Sequence, residues 1–257
     1  MSADKQRAVF GIQQMAKSKY KRVLLKLSGE SFCKPGEFGI DGSCLSSIAE
    51  RIVELSQIGP QVAIVVGAGN FLRGEEFSQL SGIPRNTADY MGMLATIINA
   101  CALQETLEKL GRPTRVLSAI EVAAMCEPFI RRKALHHLEQ NRIAILAGGT
   151  GNPFFTTDTC AALRAAELEA DVLIKATKVE GVYSADPEKN ADAEFFKKLS
   201  YNDVLNKNLR IMDHAAISLC RDNNIPIIVL NIFKVGNIAK AVCGQQVGTL
   251  ISPVRDG

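Results

Sequence analysis

The residues of this chain that could do chemistry are concentrated in four loops, of which Gly148–Asp158 (GGTGNPFFTTD) is the most informative. It follows an apolar run, Arg142–Ala147, and precedes a segment rich in alanine, leucine and glutamate, Thr159–Ala170. This order predicts a buried strand, a loop and a helix, and helix N-termini at such junctions offer unpaired N–H groups to anions. The loop therefore has the chemistry of a phosphate site. The alternative is an ordinary turn in which Thr157 or Asp158 caps the helix.

A second loop, Lys26–Glu30 (KLSGE), ends the first apolar run of the chain. Its lysine can meet phosphate oxygens, and Gly29 lets a phosphate approach the backbone closely because it has no side chain. A lysine at the end of a strand also often extends its ammonium group to water. The alternative is therefore that Lys26 is a solvated surface residue.

A third loop, Gly67–Gly74 (GAGNFLRG), directly follows the apolar residues AIVV. Its closely spaced glycines expose N–H groups to an anion, and Arg73 offers a charged donor fork suited to phosphate. The loop is not GxGxxG, because Leu72 occupies the place of the third glycine, and no GxxxxGK[ST] motif occurs in the chain. A nucleotide-binding protein with this sequence must hold phosphates in another way.

The fourth loop, Lys175–Pro187 (KATKVEGVYSADP), begins with two lysines and a threonine at the end of a predicted strand. Tyr183 and Asp186 follow in a turn and could contact a base and a ribose. The alternative is a plain loop, since Asp-Pro is a common turn former.

Two further acids lie beside predicted helices. Asp89 precedes the helix predicted over Met91–Leu110, and Asp213 begins the helix predicted over Asp213–Asn223. Each carboxylate either caps its helix or has a role in a site. Asp89 could bind ribose hydroxyls through its two oxygens, and Asp213 could orient the lysines that end the two strands.

The apolar runs between these loops must position them, and they alternate with helical patterns along the chain. Strands are predicted over Arg22–Leu27, Val62–Val66, Thr114–Ser118, Ile143–Ala147, Val172–Ala176 and Ile227–Asn231. A helix is predicted over 45–55, where apolar residues recur at helical spacing, and Gly59-Pro60 ends it. Such alternation predicts an α/β protein with helices on both faces of a mostly parallel central sheet, a three-layer α/β/α sandwich.

The domain organisation is predicted to be simple. No linker, repeat or low-complexity tract interrupts the pattern, so residues 20–257 are expected to form a single domain. Residues 1–19 are charged and polar without the apolar segment of a secretory signal, and we expect a disordered tail. Residues 177–212 carry many charges and are predicted to contain a hairpin and an irregular insertion beside the cleft.

The composition is that of an ordinary soluble globular protein, with 47% hydrophobic and 22% charged residues. The net charge is only +3 and the basic residues are scattered, which argues against nucleic-acid binding, and no apolar run is long enough to cross a membrane. The seven cysteines include no CxxC pair and are typical of a reducing compartment. We therefore expect a cytoplasmic protein, with no metal-ligating cluster of its own.

Together the loops resemble those of the amino acid kinase superfamily, and within it the bacterial uridylate (UMP) kinase family. The resemblance covers residues 20–252 and includes, in order, KLSGE, GNFLRG, DYMGMLAT, GGTGNPFFTTD, KATKVEGVYSADP and RIMDHAA. It implies the amino acid kinase fold and transfer of the γ-phosphoryl group of ATP to UMP, giving ADP and UDP in pyrimidine nucleotide (CTP) biosynthesis. It also implies a homohexamer and Mg²⁺ carried with ATP.

The resemblance further implies roles for individual residues. Those implied to contact ATP are Lys26, Leu27, Ser28, Gly29, Gly69, Arg73, Thr177, Tyr183 and Asp186. Those implied to contact UMP are Ala68, Asp89, Thr150, Gly151, Asn152, Pro153, Phe154, Phe155, Thr156 and Thr157. Those implied to be catalytic are Lys26, Arg73, Lys175 and Asp213, with Asp213 organising the two lysines rather than acting as a base. The chain departs from the family's pattern at Ala68 and Ala88, where glycine is usual.

Two other functions fit parts of the pattern. A kinase of the same superfamily that acts on acetylglutamate, aspartate or carbamate would keep the lysines and the glycine-rich turns, but not the GTGNPFFTTD loop or Asp89. A nucleotide-sensing or nucleic-acid-binding regulator would bind with steep salt dependence and without turnover, and the modest net charge argues against it.

Overall fold

The computed structural model describes residues 17–72, 74–187, 189–190, 192–209 and 211–253. The strands are β1 (Arg22–Leu27), β2 (Gln61–Val66), β3 (Thr114–Ser118), β4 (Glu127–Pro128), β5 (Ile143–Ala147), β6 (Val172–Thr177), β7 (Val182–Tyr183), β8 (Phe195–Phe196), β9 (Lys198–Leu199), β10 (Ile227–Asn231) and β11 (Thr249–Ile251). The helices are α1 (Gly42–Gln57), α2 (Gly74–Ser81), α3 (Arg85–Lys109), α4 (Arg131–Glu139), α5 (Thr157–Glu167), α6 (Tyr201–Asn206), α7 (His214–Asp222) and α8 (Asn237–Val242), and a short 3₁₀ helix covers Gly29–Phe32.

A nine-stranded sheet runs through the molecule in the order β4-β3-β5-β2-β1-β6-β10-β11-β9. Its strand pairs are parallel, except that β10 and β11 are antiparallel. The central strands are apolar on both faces, as expected of parallel strands that are covered by helices on both sides. Because parallel strands end at the same edge of a sheet, the loops after β1, β2, β5 and β6 gather at one edge.

Two apolar cores lie on opposite faces of this sheet. One packs α4, α5, α6 and α7 against the side chains of alternate strand positions, such as Leu24 and Leu173. The other packs α1, α3 and α8 against the positions between them, such as Leu25 and Ile174. The predicted three-layer α/β/α sandwich with a mostly parallel sheet is therefore confirmed.

The predicted strands are all present, and the differences lie in the shorter or more polar elements. β4, β9 and β11 were not predicted, and the insertion over 177–212 contains the antiparallel pair β7–β8 and α6. Of the predicted tail, only residues 17–19 are described, and Lys19 N donates a hydrogen bond of 3.0 Å to Val242 O. Within the described residues, no helix is both long and apolar enough to span a membrane.

Candidate active site

Lys26 and Lys175 lie side by side near the ends of the two central strands. In the parallel pair β1–β6, Lys26 is the register partner of Lys175. Their side chains leave the sheet on the face of α5 and α7, as do Leu24 and Leu173 two residues earlier. The side chains are only 8% and 14% exposed. Because two buried ammonium groups repel each other, they need an anion between them.

Asp158, in the first turn of α5, supplies that anion. Its Oδ1 atom lies 2.7 Å from Lys26 Nζ, a close ion pair without hydrogen-bond geometry, and its Oδ2 atom accepts a 2.8 Å hydrogen bond from Lys175 Nζ. Burial raises the pKa of Asp158, but the two lysines outweigh burial and hold this pKa below its usual value. Burial lowers the pKa of Lys175, and Asp158 opposes that shift. The cluster keeps one net positive charge that a phosphate can neutralise.

Asp213, which the resemblance implies to organise the two lysines, lies where the starts of α7 and α5 meet. Its carboxylate is the N-cap of α7, where it accepts a 2.8 Å hydrogen bond from Ala216 N. It also accepts hydrogen bonds from the hydroxyls of Thr156 and Thr159, the latter at 2.8 Å. Asp213 therefore joins the start of α7 to the start of α5. It contributes to the position of α5, which carries Asp158, and its charge also favours the charged form of Lys175.

The N-cap of α5 is Thr156, so the alternative in which Thr157 or Asp158 caps this helix was wrong. The Thr156 hydroxyl accepts hydrogen bonds from Asp158 N at 3.0 Å and from Thr159 N at 3.3 Å. Since Thr156 caps the helix, the carboxylate of Asp158 is available to the lysines.

The loops after β1 and β2 meet at Gly29, where no side chain would fit. A Cβ atom on Gly29 would lie 2.2 Å from Gly69 N and 2.6 Å from the carbonyl carbon of Ala68. A Cβ atom on Gly67 would lie 2.9 Å from Gly29 N, and Gly67 N donates a 2.8 Å hydrogen bond to Leu27 O. This contact brings together the backbones of the loops after β1 and β2, both of which were predicted to contact phosphate.

Asp89 lies inside α3, which begins at Arg85 and not at Met91, so the prediction that Asp89 precedes this helix was wrong and it is not a cap. Its two carboxylate oxygens accept hydrogen bonds from Arg85 Nε at 2.9 and 3.0 Å. Oδ2 also accepts a 2.8 Å hydrogen bond from Phe154 N. Phe154 has a φ angle of 71°, in the left-handed region that a phenylalanine rarely adopts. Asp89 therefore connects the loop Gly148–Asp158 to α3 through a hydrogen bond.

Two cavities open at this edge of the sheet and share Glu30 and Asp158. The first has a volume of about 690 Å³. The predicted site residues that line it are Lys26, Ser28, Gly29, Ala68, Gly69, Asp89, Thr150, Phe155, Thr156 and Thr157. The second has a volume of about 720 Å³, and Lys175 and Asp213 are among the residues that line it. Each has the size of a small-molecule site, and the lysine cluster lies where they meet.

Other predicted site residues lie outside the linings of both cavities. These are Leu27, Gly151, Asn152, Pro153, Phe154, Thr177, Tyr183 and Asp186. The side chain of Leu27 is fully buried in the core, and the ring of Tyr183 packs edge-on against Phe195 with 5.2 Å between centroids. The Thr177 hydroxyl donates a 2.7 Å hydrogen bond to Val179 O. Arg73 lies outside the described residues.

Several residues that line the first cavity were not predicted from the sequence. Arg85, Met93 and Thr96 line it together with Asp89, and all four belong to α3. Their spacing of three to four residues places them on one helix face, which is a signal that the sequence does contain. Asp158 was predicted only as the end of a phosphate loop or, alternatively, as a cap, because nothing local to it shows that two lysines from distant strands converge there.

Comparisons with known proteins identify relatives of this chain. The model of the amino acid kinase family matches residues 21–231. The structure is similar to that of the UMP kinase from Bacillus anthracis, with 40% identity and a TM-score of 0.87 over 91% of this chain and 96% of that chain. It is also similar to the UMP kinase from Ureaplasma parvum, with 37% identity and a TM-score of 0.84 over 93% and 100% of the two chains. For the uridylate kinase from Archaeoglobus fulgidus the identity is 29% and the TM-score 0.69, over 90% and 100%.

Proposed function

The chain belongs to the amino acid kinase family, and we propose that it is a UMP kinase, which transfers the γ-phosphoryl group of ATP to UMP and yields ADP and UDP. The observation that carries this proposal is the cluster of Lys26, Asp158 and Lys175 at the junction of two cavities of nucleotide size. Two solved structures that are 37% and 40% identical over most of the chain are UMP kinases.

We assign UMP to the first cavity and the phosphates of ATP to its junction with the second. Asp89 would bind the ribose of UMP, and Ala68 with the loop Thr150–Thr157 would surround its base and phosphate. Lys26, Ser28 and Gly29 would hold the phosphates of ATP from the β1 side, and Lys175 from the β6 side. Thr177, Tyr183 and Asp186 remain our assignment for the adenosine end. Leu27, Gly69 and Arg73 remain assigned to the phosphates.

For this phosphoryl transfer the protein has to supply mainly positive charge and the correct alignment of the two nucleotides. The acceptor oxygen of UMP is already ionised at neutral pH, so no general base is required. The difficulty is to bring two polyanions together, since their repulsion at a few ångströms amounts to several kcal/mol even in a polar site. Lys26, Lys175 and the loop N–H groups offset this repulsion and hold the phosphates in line for transfer. Asp158 keeps both ammonium groups pointing into the junction before the phosphates arrive.

Mg²⁺ enters this scheme as part of the substrate, MgATP. In the portion of the chain that is described, no three His, Cys, Asp or Glu side chains form a group that could hold a metal ion. Asp158 is already shared by two lysines, whereas ATP offers the phosphate oxygens that Mg²⁺ prefers. We therefore assign the ion to the nucleotide.

We also propose a homohexamer in the cytoplasm that serves pyrimidine nucleotide biosynthesis. An apolar stripe of Tyr90, Met91, Leu94 and Ile98 is exposed on α3, opposite the face that enters the core, and supports contact between copies. No disulfide joins any of the seven cysteines, all of which are described, as is usual in a reducing compartment.

A coupled assay of ADP release with UMP, CMP, acetylglutamate, aspartate and carbamate tests the proposed reaction. UMP is expected to be the preferred acceptor. Absence of turnover with UMP would overturn the proposal: turnover with a carboxylate acceptor would then indicate another kinase of the family, and nucleotide binding without any turnover would indicate a regulator.

A further inference from the structure

Two buried asparagines, Asn70 in the loop after β2 and Asn99 in α3, are joined by reciprocal hydrogen bonds. Asn70 Nδ2 donates to Asn99 Oδ1 at 3.0 Å, and Asn99 Nδ2 donates to Asn70 Oδ1 at 2.8 Å. The second N–H of Asn70 bonds to Gly39 O and that of Asn99 to Gly67 O, both at 2.8 Å. The two residues are 3% and 0% exposed. All four side-chain N–H donors are thus satisfied, and the two carbonyl partners fix which way each amide faces.

The pair holds the loop Gly67–Asn70 at both of its ends. Asn99, in the middle of α3, bonds to the backbone at the first residue of this loop and to the side chain of the last. The loop is also tied to the chain before α1, where Gly39 N donates to Asn70 O at 2.8 Å. Its position is therefore set by α3 and not only by the end of β2.

The same pair lies beside the place where the loops after β1 and β2 approach each other. A Cβ atom on Gly29 would lie 2.7 Å from Asn70 Oδ1, in addition to its clash with Gly69 N. We propose that Asn70 and Asn99 are positioning residues for phosphoryl transfer, which fix the Gly67–Asn70 loop against Gly29 and so set the distance between the two bound phosphates. The catalytic part of this inference rests on the proposed function. The part that concerns the position of the loop rests only on the contacts described above.

An amide pair suits this task better than apolar side chains do. Replacing both partners of a buried hydrogen bond with apolar groups of the same shape is often nearly neutral for stability, so stability alone does not require two asparagines. Two amides joined by reciprocal hydrogen bonds fix distance and orientation together, which apolar contact does not.

The test compares Asn99→Leu with Leu103→Ala, a change in the same helix at a fully buried residue of the apolar core. Both variants are expected to lower the melting temperature. Per folded enzyme, Asn99→Leu is expected to reduce kcat by about 100-fold, since a misplacement of about 1 Å can cost that much, whereas Leu103→Ala should stay within about twofold. Asn70→Ala, in the loop itself, is expected to reduce kcat by a similar factor. It replaces Asn99→Leu in the comparison if Asn99→Leu does not fold.

Asn99→Asp gives a pH signature that a merely structural role would not produce. Protonated, the new side chain can donate to Gly67 O and accept from Asn70 Nδ2. The ionised form keeps the hydrogen bond from Asn70 Nδ2, but its other oxygen faces two acceptors, Gly67 O and Asn70 Oδ1. The partners of Asn99 are uncharged, so burial should raise the pKa of the new carboxyl. The ratio of variant to wild-type kcat is therefore expected to fall as pH rises. A flat ratio, or equal kcat for Asn99→Leu and Leu103→Ala, would overturn the proposal.

Amide hydrogen exchange separates this inference from the proposed reaction, because it needs no substrate. Exchange at residues 67–70 and 29–32 is expected to be faster in Asn99→Leu than in Leu103→Ala. Unchanged exchange would remove the positioning role even if the wild-type protein phosphorylates UMP. If exchange is faster in Asn99→Leu but the wild-type protein does not phosphorylate UMP, the role of the pair in holding the loop stands and only the proposed function is overturned.

Discussion

Lys26 and Lys175 are register partners on the neighbouring parallel strands β1 and β6, and one carboxylate, that of Asp158, contacts both of their ammonium groups. Strand pairing alone would place two like charges next to each other in a buried position. The start of α5 supplies the opposite charge, so the site is assembled from three segments that are far apart in the sequence. The arrangement is positive overall and faces both cavities.

Lys26→Met is expected to fold and to lose at least about 100-fold in kcat, because it removes a charge that stabilises the transferred phosphoryl group. Methionine is apolar and of similar length, so it suits a residue that is only 6% exposed. Steady-state kinetics with UMP and a thermal melt provide the measurement. Lys21→Met, at an exposed position just before β1, is the control and should keep wild-type kinetics. Wild-type kcat in Lys26→Met would remove Lys26 from its assigned role.

Asp158→Asn is expected to lower the free energy of unfolding by about 3 to 5 kcal/mol at neutral pH, because it leaves two buried lysines without their anion. The folded pKa of Asp158 lies below the ordinary value of 3.8. Its stabilisation is therefore fully present above pH 3.8 and is lost as pH falls through the lower, folded pKa. Denaturant unfolding of both proteins from neutral to acid pH should show the difference shrinking in acid.

The control for this titration is Asp222→Asn, which removes a carboxylate that is 63% exposed and paired with its neighbour Arg221. Its effect at neutral pH should stay below about 1 kcal/mol, as is usual for an exposed pair. If Asp158→Asn behaved like Asp222→Asn, the cluster would not contribute to stability as described.

The sequence predicted the strands well because each central strand is a short apolar run bounded by turn residues. It predicted the start of α3 poorly, since Arg85–Tyr90 is mostly polar and the helix is apolar on two faces, with the stripe at Leu94 and Ile98 exposed. The unpredicted strands β4 and β9 have only two residues each, which is too few to show the alternation of a strand.

The candidate site was predictable in its loops but not in its contacts. Glycines, lysines and hydroxyls at the ends of apolar runs are visible in the sequence, and most of those predicted for UMP do line the first cavity. The contact of Asp158 with both lysines was not visible, because it depends on which helix start lies over β1 and β6. The Asn70–Asn99 pair was likewise hidden, since its members come from different segments and meet only in the fold.

Asp89→Asn is expected to raise KM for UMP by at least about 10-fold and to leave KM for ATP within about twofold. The carboxylate is assigned to the ribose and also accepts the hydrogen bond from Phe154 N. Its replacement should therefore weaken both the binding of the ribose and the attachment of the loop that surrounds UMP. Initial rates at varied concentrations of each nucleotide give both constants. Glu105→Gln, an exposed acid on the same helix, is the matched control. Equal changes in both KM values would contradict the assignment of Asp89 to the UMP side.

Leu94→Glu and Ile98→Glu are expected to reduce the mass of the assembly in solution, because a charge in an apolar interface must be desolvated. These side chains are about half exposed in the single chain. Size-exclusion chromatography with light scattering gives the mass. Ile130→Glu, at a position that is 48% exposed and outside the stripe, should leave the mass unchanged. A hexamer that survives both stripe variants would show that copies meet elsewhere.

Gly29→Ala is expected to abolish most transfer, because the added methyl would lie 2.2 Å from Gly69 N and must push the loops after β1 and β2 apart. The obstacle is backbone rather than a flexible side chain, so the loops themselves have to move. We expect kcat to fall by about 100-fold or more. Gly42→Ala is the control, since no atom beyond its chain neighbours and the nearby backbone of α1 lies within 4 Å of its added carbon, and its φ is not left-handed. Alanine also favours the first turn of α1, so this variant should be as stable as the wild type or slightly more so. Full activity in Gly29→Ala would mean that the close approach of the two loops is not needed for transfer.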